Sequence, residues 1–309
     1  MLWGEKRYYS LDYYLKKTYG SKVQKLSLDG GMTCPTRDGS KGFGGCIFCS
    51  QNGSGDFTTK RCATVSKQID SAIAGLSSKK KSDGKYIAYF QSYTNTYAPV
   101  DYLRSLFTEA VLHKDIVCLS IATRPDCISP DIVNLLKELN QVKPVWIELG
   151  LQTIHEDTAN FIRRGYTLDI YEKAVSMLSD AGIDIITHVI LGLPHETPND
   201  MTSTIRYLSD SPIKGIKLQL LHVLKNTDLA DYYGSFHILT EDEYINIVIN
   251  CLELLPDNIV IHRLTGDGPS DLLIAPLWSL KKRNVLNHIN KALKGKNTWQ
   301  GRLCKKENL

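Results

Sequence analysis

The sequence contains no apolar run approaching the roughly 20 residues that a membrane-spanning helix requires. Its first residues, Met1 to Tyr9, also lack the apolar core of a secretory signal peptide. With 42% hydrophobic and 23% charged residues in a chain of 309, these absences predict a globular cytoplasmic protein that does not associate with membranes. In a reducing compartment, the eight cysteines are not expected to form disulfides.

Three of the cysteines are spaced C-x11-C-x2-C on a glycine-rich loop that follows the strand-like segment 23–28. Cysteines two residues apart can point inward from one turn, and glycines let the backbone close tightly around a bulky group. Thiolates from Cys34, Cys46 and Cys49 would hold three irons of a [4Fe–4S] cube and leave the fourth iron open to a small molecule. The same three cysteines with Cys62 also fit a closed zinc site. The spacing alone leaves both metals open.

Strand-like segments alternate with helical patterns along most of the chain. The strands are predicted at 23–28, 86–90, 116–121, 145–151, 183–191 and 216–221. Helices are predicted at 65–76, 100–113, 131–140, 169–181 and 199–208, and a capping box at Thr240 begins a sixth helix through Leu255. This alternation predicts parallel strands with right-handed crossovers. Six units are too few for a closed eight-stranded barrel, so the predicted fold is an α/β partial (β/α)6 barrel.

Polar residues follow the predicted strands, and the chemistry of parallel barrels gathers at the carboxyl ends of their strands. In chain order these are the cysteine loop, Gln91 with Ser92, Thr123 to Asp126, Glu148 with Gln152, His188 with Gly192 to Pro194, and Gln219 with His222. The pattern predicts one site built from several strand ends.

The net charge is only +4, but basic residues concentrate at the two ends of the chain. From position 279 onward there are nine basic residues and one acidic residue, Glu307; the basic ones are Lys281, Lys282, Arg283, Lys291, Lys294, Lys296, Arg302, Lys305 and Lys306. Near the N-terminus, basic residues alternate with aromatic ones, which are Trp3, Tyr8, Tyr9, Tyr13, Tyr14 and Tyr19. Cations neutralise phosphates and rings stack on unpaired bases, so both ends suit a nucleic acid. A solvated tail and an amphipathic helix packed on the barrel are the alternative.

Four further segments carry a family resemblance: Ala122 to Asp126, Glu148 to Thr153, Arg163 to Gly165, and His188 to Pro194. With the cysteine loop, they resemble the radical S-adenosylmethionine (radical SAM) superfamily, in the branch of the Elongator catalytic subunit. Within that branch the sequence resembles the YtqA/YhcC (MnmL-type) family. The resemblance implies an aromatic and basic extension at 1–22, a radical SAM core at 23–265 and a basic extension at 266–309. The x11 gap and the lack of a Gly-Gly-Glu motif depart from the usual superfamily pattern.

The resemblance also implies the cofactors and their ligands. Cys34, Cys46 and Cys49 would hold a [4Fe–4S] cluster, and SAM would bind its open iron. The implied SAM contacts are Phe48, Ile190 and Gly192 at the adenine, Gln91 and Ser92 at the methionine amino group, Glu148 at the ribose, and Arg163 or Arg164 at the methionine carboxylate.

The implied reaction uses an electron, from a donor such as flavodoxin or ferredoxin, to cleave SAM into methionine and a 5′-deoxyadenosyl radical that removes hydrogen from a C–H bond. No acid–base pair is needed for that step, so neither His188 nor His222 is assigned as a general base. Cys118 in a strand and Cys251 in an apolar helical stripe are expected to be structural. The same role is favoured for Cys62 and Cys127.

The resemblance implies tRNA as the substrate, with conversion of 5-carboxymethylaminomethyl-(2-thio)uridine at the wobble position to the aminomethyl form. In a chain of 309 residues we do not expect an acetyltransferase domain after the barrel, and therefore no acetyl-CoA-dependent carboxymethylation. Two alternatives stay open: a radical SAM enzyme acting on a small molecule, and a non-catalytic RNA-binding protein with a structural zinc.

Overall fold

A computed structural model of the protein describes residues 1–53, 55–76 and 83–304. The strands are β1 (Gln24–Leu28), β2 (Tyr86–Phe90), β3 (Ile116–Thr123), β4 (Val145–Gln152), β5 (Asp184–Leu191), β6 (Gly215–Leu220), β7 (Val223–Leu224), β8 (Val260–Arg263) and β9 (Leu273–Ala275). The α-helices are α1 (Leu11–Tyr19), α2 (Val65–Ala74), α3 (Val100–Leu112), α4 (Pro130–Asn140), α5 (Glu156–Phe161), α6 (Leu168–Asp180), α7 (Pro198–Ser209), α8 (Glu241–Leu254) and α9 (Lys282–Gly295).

The main sheet has seven strands in the order β1-β2-β3-β4-β5-β6-β8. The register is parallel for β1 with β2, β2 with β3, β3 with β4, and β6 with β8. All six predicted strands are present within two residues of their predicted bounds. The sheet also has one strand that was not predicted, β8, which pairs with β6. This strand has only four residues and ends in a histidine and an arginine, which gives it a weak strand pattern.

The chain forms two compact units. The cysteine-loop unit comprises Leu15–Gly150 and Arg164–Ile186, and the terminal unit comprises Met1–Tyr14, Leu151–Arg163 and Thr187–Leu309. Strand β5 contributes its first three residues to the former and its last five to the latter. The predicted division at residues 22 and 265 stays a prediction.

The core of the cysteine-loop unit is built on β2, whose five residues are all buried. A parallel strand covered on both faces reads as a continuous apolar run, as this one does. Its last residue, Phe90, packs edge-to-face on Phe107 of α3, with ring centroids 5.2 Å apart. The flanking helices begin at side-chain caps: Thr64 accepts a hydrogen bond from the backbone of Lys67, and Ser129 accepts one from Ile132.

In the terminal unit, the two ends of the chain meet. The backbone N–H of Tyr9 donates to Gln300 Oε1 at 2.9 Å, and its carbonyl accepts from the N–H of Ile261 at 2.7 Å. Gln300 Nε2 donates to the carbonyls of Pro256 and Ile259 at 2.6 and 2.8 Å. One buried amide thus joins the N-terminal segment to the turn before β8.

The basic tail is helical over α9, which buries Val285, Ile289 and Leu293 along one face. These residues are four apart, the spacing of an amphipathic helix. Segment 282–295 of the basic tail is therefore an amphipathic helix with one buried face. Lys305 and Lys306 lie outside the described residues.

Replacement of Gln300 by Ala should lower the free energy of unfolding by about 3 kcal/mol, because it leaves two carbonyls and one N–H unpaired and each buried group costs about 1–3 kcal/mol. Urea denaturation of the anaerobically purified protein measures this. Gln141→Ala, at an exposed position after α4, is the control and should be close to neutral. A neutral Gln300→Ala protein would contradict the role of this amide.

Candidate functional site

The cysteine loop is closed by its own backbone. The N–H of Arg37 donates to the carbonyl of Cys34 at 2.8 Å, and the N–H of Cys49 donates to the carbonyl of Cys46 at 3.0 Å. Between these turns, the N–H of Gly45 donates to the carbonyl of Thr36 at 2.9 Å, with φ +76° at the glycine. A Cβ atom on Gly45 would lie 2.8 Å from Nε of Arg37, so the loop requires glycine there.

The three thiols of the C-x11-C-x2-C pattern are neighbours. A hydrogen bond with Cys46, burial, and the nearby Cys46 and Cys34 thiols together raise the pKa of Cys49 well above its usual range. Cys34 Sγ lies 3.1 Å from the Thr36 hydroxyl. In the described part of the chain, no group of three or more His, Cys, Asp or Glu side chains is arranged to hold a single metal ion. Ligands of a cluster occupy separate corners of a cube, and three adjacent thiols on one closed loop fit that donor set.

A cation lies beside the thiols that sequence reasoning did not single out. The Arg37 guanidinium donates to the carbonyls of Ser50 and Gln51 at 2.7 and 3.2 Å, and its charge partly offsets the rise in the pKa of Cys49. It lies 5.5 Å from the centroid of the Tyr93 ring. Arg37 therefore ties the end of the cysteine loop together and favours the thiolate form of Cys49. Its position three residues after Cys34 was the available signal.

The prediction that Glu148 follows the fourth strand was wrong, because the residue lies in the middle of β4 and forms an enclosed ion pair there. Its side chain has no exposed surface; it accepts hydrogen bonds from Lys25 Nζ and from the Ser120 hydroxyl, the latter at 2.7 Å. Lys25 Nζ in turn lies 4.5 Å from the centroid of the Tyr89 ring. The pairing joins β1, β3 and β4, and a buried carboxylate needs such partners.

Gln91 and Ser92 directly follow β2. The N–H of Gln91 donates to the carbonyl of Leu28, the last residue of β1, at 3.3 Å, and its side-chain oxygen accepts from Ser27 at 3.4 Å. Ser92 is buried and donates to the Thr58 hydroxyl at 3.3 Å. Both residues thus lie where β1 and β2 end.

The two candidate arginines differ in environment. Arg163 is largely exposed, with φ +55°, and forms an ion pair with Asp228. Arg164 is 1% exposed; its Nε donates to the carbonyl of Tyr166 at 2.8 Å and its guanidinium lies 4.9 Å from the centroid of that ring. Arg164 is therefore part of the interior of the cysteine-loop unit.

The candidate residues divide between the two units. The cysteine-loop unit contains the three cysteines with Phe48, Gln91, Ser92, Glu148 and Arg164, whereas Arg163, Ile190 and Gly192 belong to the terminal unit. Phe48 is half-buried and Ile190 is buried. Gly192 has φ +87°, and a Cβ atom there would lie 3.0 Å from the Leu239 side chain.

A second charged group borders the cysteine loop. Asp126 accepts from Arg124 at 2.9 Å and from Lys41 at 2.8 Å. Burial alone would raise the pKa of Asp126, but these two cations hold it below its usual value. From the sequence, Asp126 was predicted among the polar residues that follow the strands, but its pairing with Arg124 and Lys41 was not predicted. Beside the group, a cavity of about 520 Å³ is lined by Pro35, Tyr97, Cys127 and Ile132 among others.

The cysteines outside the C-x11-C-x2-C loop differ in burial. Cys118 in β3 and Cys251 in α8 are buried, and burial raises the pKa of both thiols. This agrees with the expected structural role. Cys127 is half-buried, and burial raises its pKa to about 12, whereas Cys62 is exposed.

The sequence profile of the Radical SAM superfamily matches residues 41–208, and that of the Radical_SAM C-terminal domain matches residues 213–295. The uncharacterized protein YtqA of Bacillus subtilis is 45% identical over 300 residues, which are 96% of this chain and 93% of the relative. The chain belongs to the radical SAM superfamily. Protein YhcC of Escherichia coli is 35% identical over 267 residues, 85% of each chain. The predicted YtqA/YhcC resemblance is thereby confirmed.

More distant relatives of this radical SAM chain are longer proteins. A tRNA uridine(34) acetyltransferase of Methanocaldococcus jannaschii is 27% identical over 174 residues, 55% of this chain and 31% of that protein. The structure of Elp3 from Methanocaldococcus infernus superposes with a TM-score of 0.68 at 19% identity, covering 90% of this chain and 64% of the Elp3 chain. The fold is therefore the partial barrel of radical SAM enzymes, as predicted.

Membership of the superfamily also fixes the cofactors, which are a [4Fe–4S] cluster and SAM, as predicted. None of the helices in the described ranges is long and apolar enough to cross a membrane.

Proposed function

We propose that this radical SAM enzyme modifies the wobble uridine of tRNA, converting 5-carboxymethylaminomethyl-(2-thio)uridine to 5-aminomethyl-(2-thio)uridine in the cytoplasm. The enzymatic part rests on the three adjacent thiols of the closed loop after β1. The choice of substrate is supported by the likeness to a tRNA uridine(34) acetyltransferase and by the basic ends of the chain. Mass spectrometry of tRNA nucleosides from a deletion strain tests the substrate: the carboxymethylaminomethyl form should accumulate. Unchanged wobble nucleosides would contradict it.

Cys34, Cys46 and Cys49 would hold the cluster in this proposal. When bound, cluster and SAM supply an electron-driven cleavage of the carbon–sulfur bond of SAM and a 5′-deoxyadenosyl radical for hydrogen removal. The reducing electron would come from a donor such as flavodoxin or ferredoxin. Cys49 must lose the proton that its neighbours favour, and the Arg37 guanidinium stabilises the resulting thiolate.

SAM would be held by residues within the strands and in the loops that follow them. Phe48, Ile190 and Gly192 would contact its adenine, and Gln91 and Ser92 its methionine amino group. Glu148 would accept from a ribose hydroxyl while Lys25 and Ser120 keep the carboxylate charged and oriented. Arg163 or Arg164 would pair with the methionine carboxylate in two-point fashion.

Replacement of Cys34, Cys46 or Cys49 by Ala should each abolish cluster assembly, because two thiolates do not secure the cube. Iron and sulfide measured after anaerobic reconstitution check this. Cys62→Ala is the matched control and should retain normal iron, since that thiol is exposed beyond the loop. A loss with Cys62→Ala as severe as the other three would indicate a closed four-thiolate site.

Glu148→Gln should weaken SAM binding while leaving iron content intact. The amide preserves the shape of the side chain but loses a charge-assisted hydrogen bond, which is worth about 1.5–3 kcal/mol. Equilibrium binding of SAM to the reconstituted protein measures the change. Glu138→Gln, at an exposed carboxylate on α4, is the control. Equal SAM affinity in the two variants would remove Glu148 from the SAM site.

The phosphate contacts are assigned to the exposed cations of the tail. Lys281, Arg283, Lys291 and Lys294 are exposed on or beside α9. Other basic residues of the tail have partners in the protein: Lys282 bonds to Asp267, Lys296 to Asn246 at 2.8 Å, and Arg302 to Glu253 at 2.7 Å. Tyr9 and Tyr13 are partly exposed on the N-terminal segment, which meets the C-terminal one at Gln300. The two extensions therefore supply cations and rings from one unit.

Neutralising Lys281, Arg283 and Lys291 together with glutamine should weaken tRNA binding and lower the slope of log affinity against log salt by about 0.7–0.9 for each phosphate that is no longer neutralised. SAM cleavage without tRNA should be unaffected. The control is a triple variant at Lys114, Lys137 and Lys173, exposed lysines of the cysteine-loop unit. Identical salt slopes for the two triple variants would exclude the tail from the tRNA site.

A further inference from the structure

Two cations converge on one carboxylate where β8 ends. Asp267 Oδ2 lies 3.1 Å from Arg263 Nη2, and Asp267 Oδ1 bonds to Lys282 Nζ at the start of α9. The side chains of Arg263, Asp267 and Lys282 are 27%, 31% and 43% exposed, so the group is within reach of solvent. A guanidinium and an ammonium that face the same position can bind a carboxylate from another molecule there. In this structure, the anion between the two cations is the carboxylate of Asp267.

Two polar groups beside this site lack partners. His222 follows β6, and its Nε2 is buried with no hydrogen bond among the described residues. The same is true of the Thr265 hydroxyl, on a residue that is 5% exposed. Buried polar groups are nearly always paired, because an unpaired one costs free energy. Both atoms can therefore pair with a group that the described residues do not supply.

The segment that carries Asp267 also covers His222. Cβ atoms on Gly266 and Gly268 would lie 2.6 Å from Cε1 and 2.7 Å from Nδ1 of the imidazole ring. The two glycines thus let the backbone lie directly on the histidine, with Asp267 between them holding the segment to Arg263 and Lys282. Release of Asp267 would free the segment from its two ionic contacts.

We propose that Arg263 and Lys282 bind the carboxylate of an anionic substrate side chain, that Asp267 occupies this position in the free protein, and that its displacement uncovers His222 and Thr265 as hydrogen-bond partners for the substrate. This inference rests on the proposed function, whose substrate ends in a carboxymethylamino group and whose product does not. The site would therefore distinguish the two.

The chemistry of the uncovered groups suits a uracil base. Burial lowers the pKa of His222 to about 4; the charge of Asp267 opposes this shift, whereas Arg263 and Lys282 act in the same direction as burial, so the imidazole is neutral near pH 7. A neutral imidazole donates from one nitrogen and accepts at the other. The uracil edge presents an N–H donor next to carbonyl acceptors, and the Thr265 hydroxyl can serve either. Arg263 meanwhile matches a carboxylate in two-point fashion.

The test compares two anticodon stem-loops that differ only at the wobble base, one carrying 5-carboxymethylaminomethyluridine and the other 5-aminomethyluridine. The wild-type protein should bind the first more tightly. Arg263→Gln should reduce this preference by roughly tenfold, as expected for removal of a charge-assisted bond. Asp267→Asn should increase the preference, because the internal competitor is removed. Arg283→Gln, at the neighbouring exposed cation, is the control and should weaken both complexes equally.

Equal affinity of the wild type for the two stem-loops, or an unchanged preference in Arg263→Gln, would overturn the inference while leaving tRNA binding intact. Failure of the wild type to bind either stem-loop would instead contradict the proposed function. The role of Asp267 in keeping His222 covered is tested separately, without RNA. Diethylpyrocarbonate, which modifies accessible neutral imidazole, should label His222 faster in Asp267→Asn than in the wild type. Equal labelling rates would show that Asp267 does not hold the segment closed.

Discussion

Three thiols lie close together on one loop, and their proximity disfavours the thiolate forms that a cluster requires. The charged groups around the loop offset this effect. A hydrogen bond with Cys46, burial, and the neighbouring thiols raise the pKa of Cys49 well above its usual range. Nearby cations are required to lower this pKa again and stabilise the thiolate. The irons of a cluster are the largest such charges, and Arg37 is a cation of the loop that lowers the pKa of Cys49. Holding that arginine against the backbone carbonyls of the loop fixes both the shape and the electrostatics of the ligand set.

The same balance of charge recurs away from the loop. Glu148 is buried because Lys25 and Ser120 meet it, and Asp126 stays ionised because Arg124 and Lys41 face it. These pairs join different strands or strand ends within the cysteine-loop unit. A buried ion pair contributes little net stability, but removing one partner leaves a charge uncompensated and is costly. Such pairs therefore fix which residues of neighbouring strands and loops face one another within this unit.

The sequence was most informative where a pattern extends over many residues. The apolar run of β2 and the helical spacing of α4 and α6 were recognised because burial of one face imposes a period. The four-residue strand β8 was missed, since it is too short to show a period. Partners remote in sequence could not be found either. Nothing in the alternation of β1 indicates that Lys25 neutralises Glu148, and the adjacent Arg163 and Arg164 look equivalent until one is exposed and the other buried.

The meeting of the two chain ends has a consequence for the order of folding. Tyr9 is paired with Ile261 and Gln300, so the segment around Tyr9 acquires these hydrogen-bond partners only after residues 261 and 300 have been synthesised. Contacts of such long sequence separation form late, because the closure of the intervening loop must be compensated first. During synthesis, the strands of the cysteine-loop unit can pair as they are made, while the aromatic segment around Tyr9 cannot pair with Gln300 until that residue is available. The terminal unit is therefore completed later than the cysteine-loop unit.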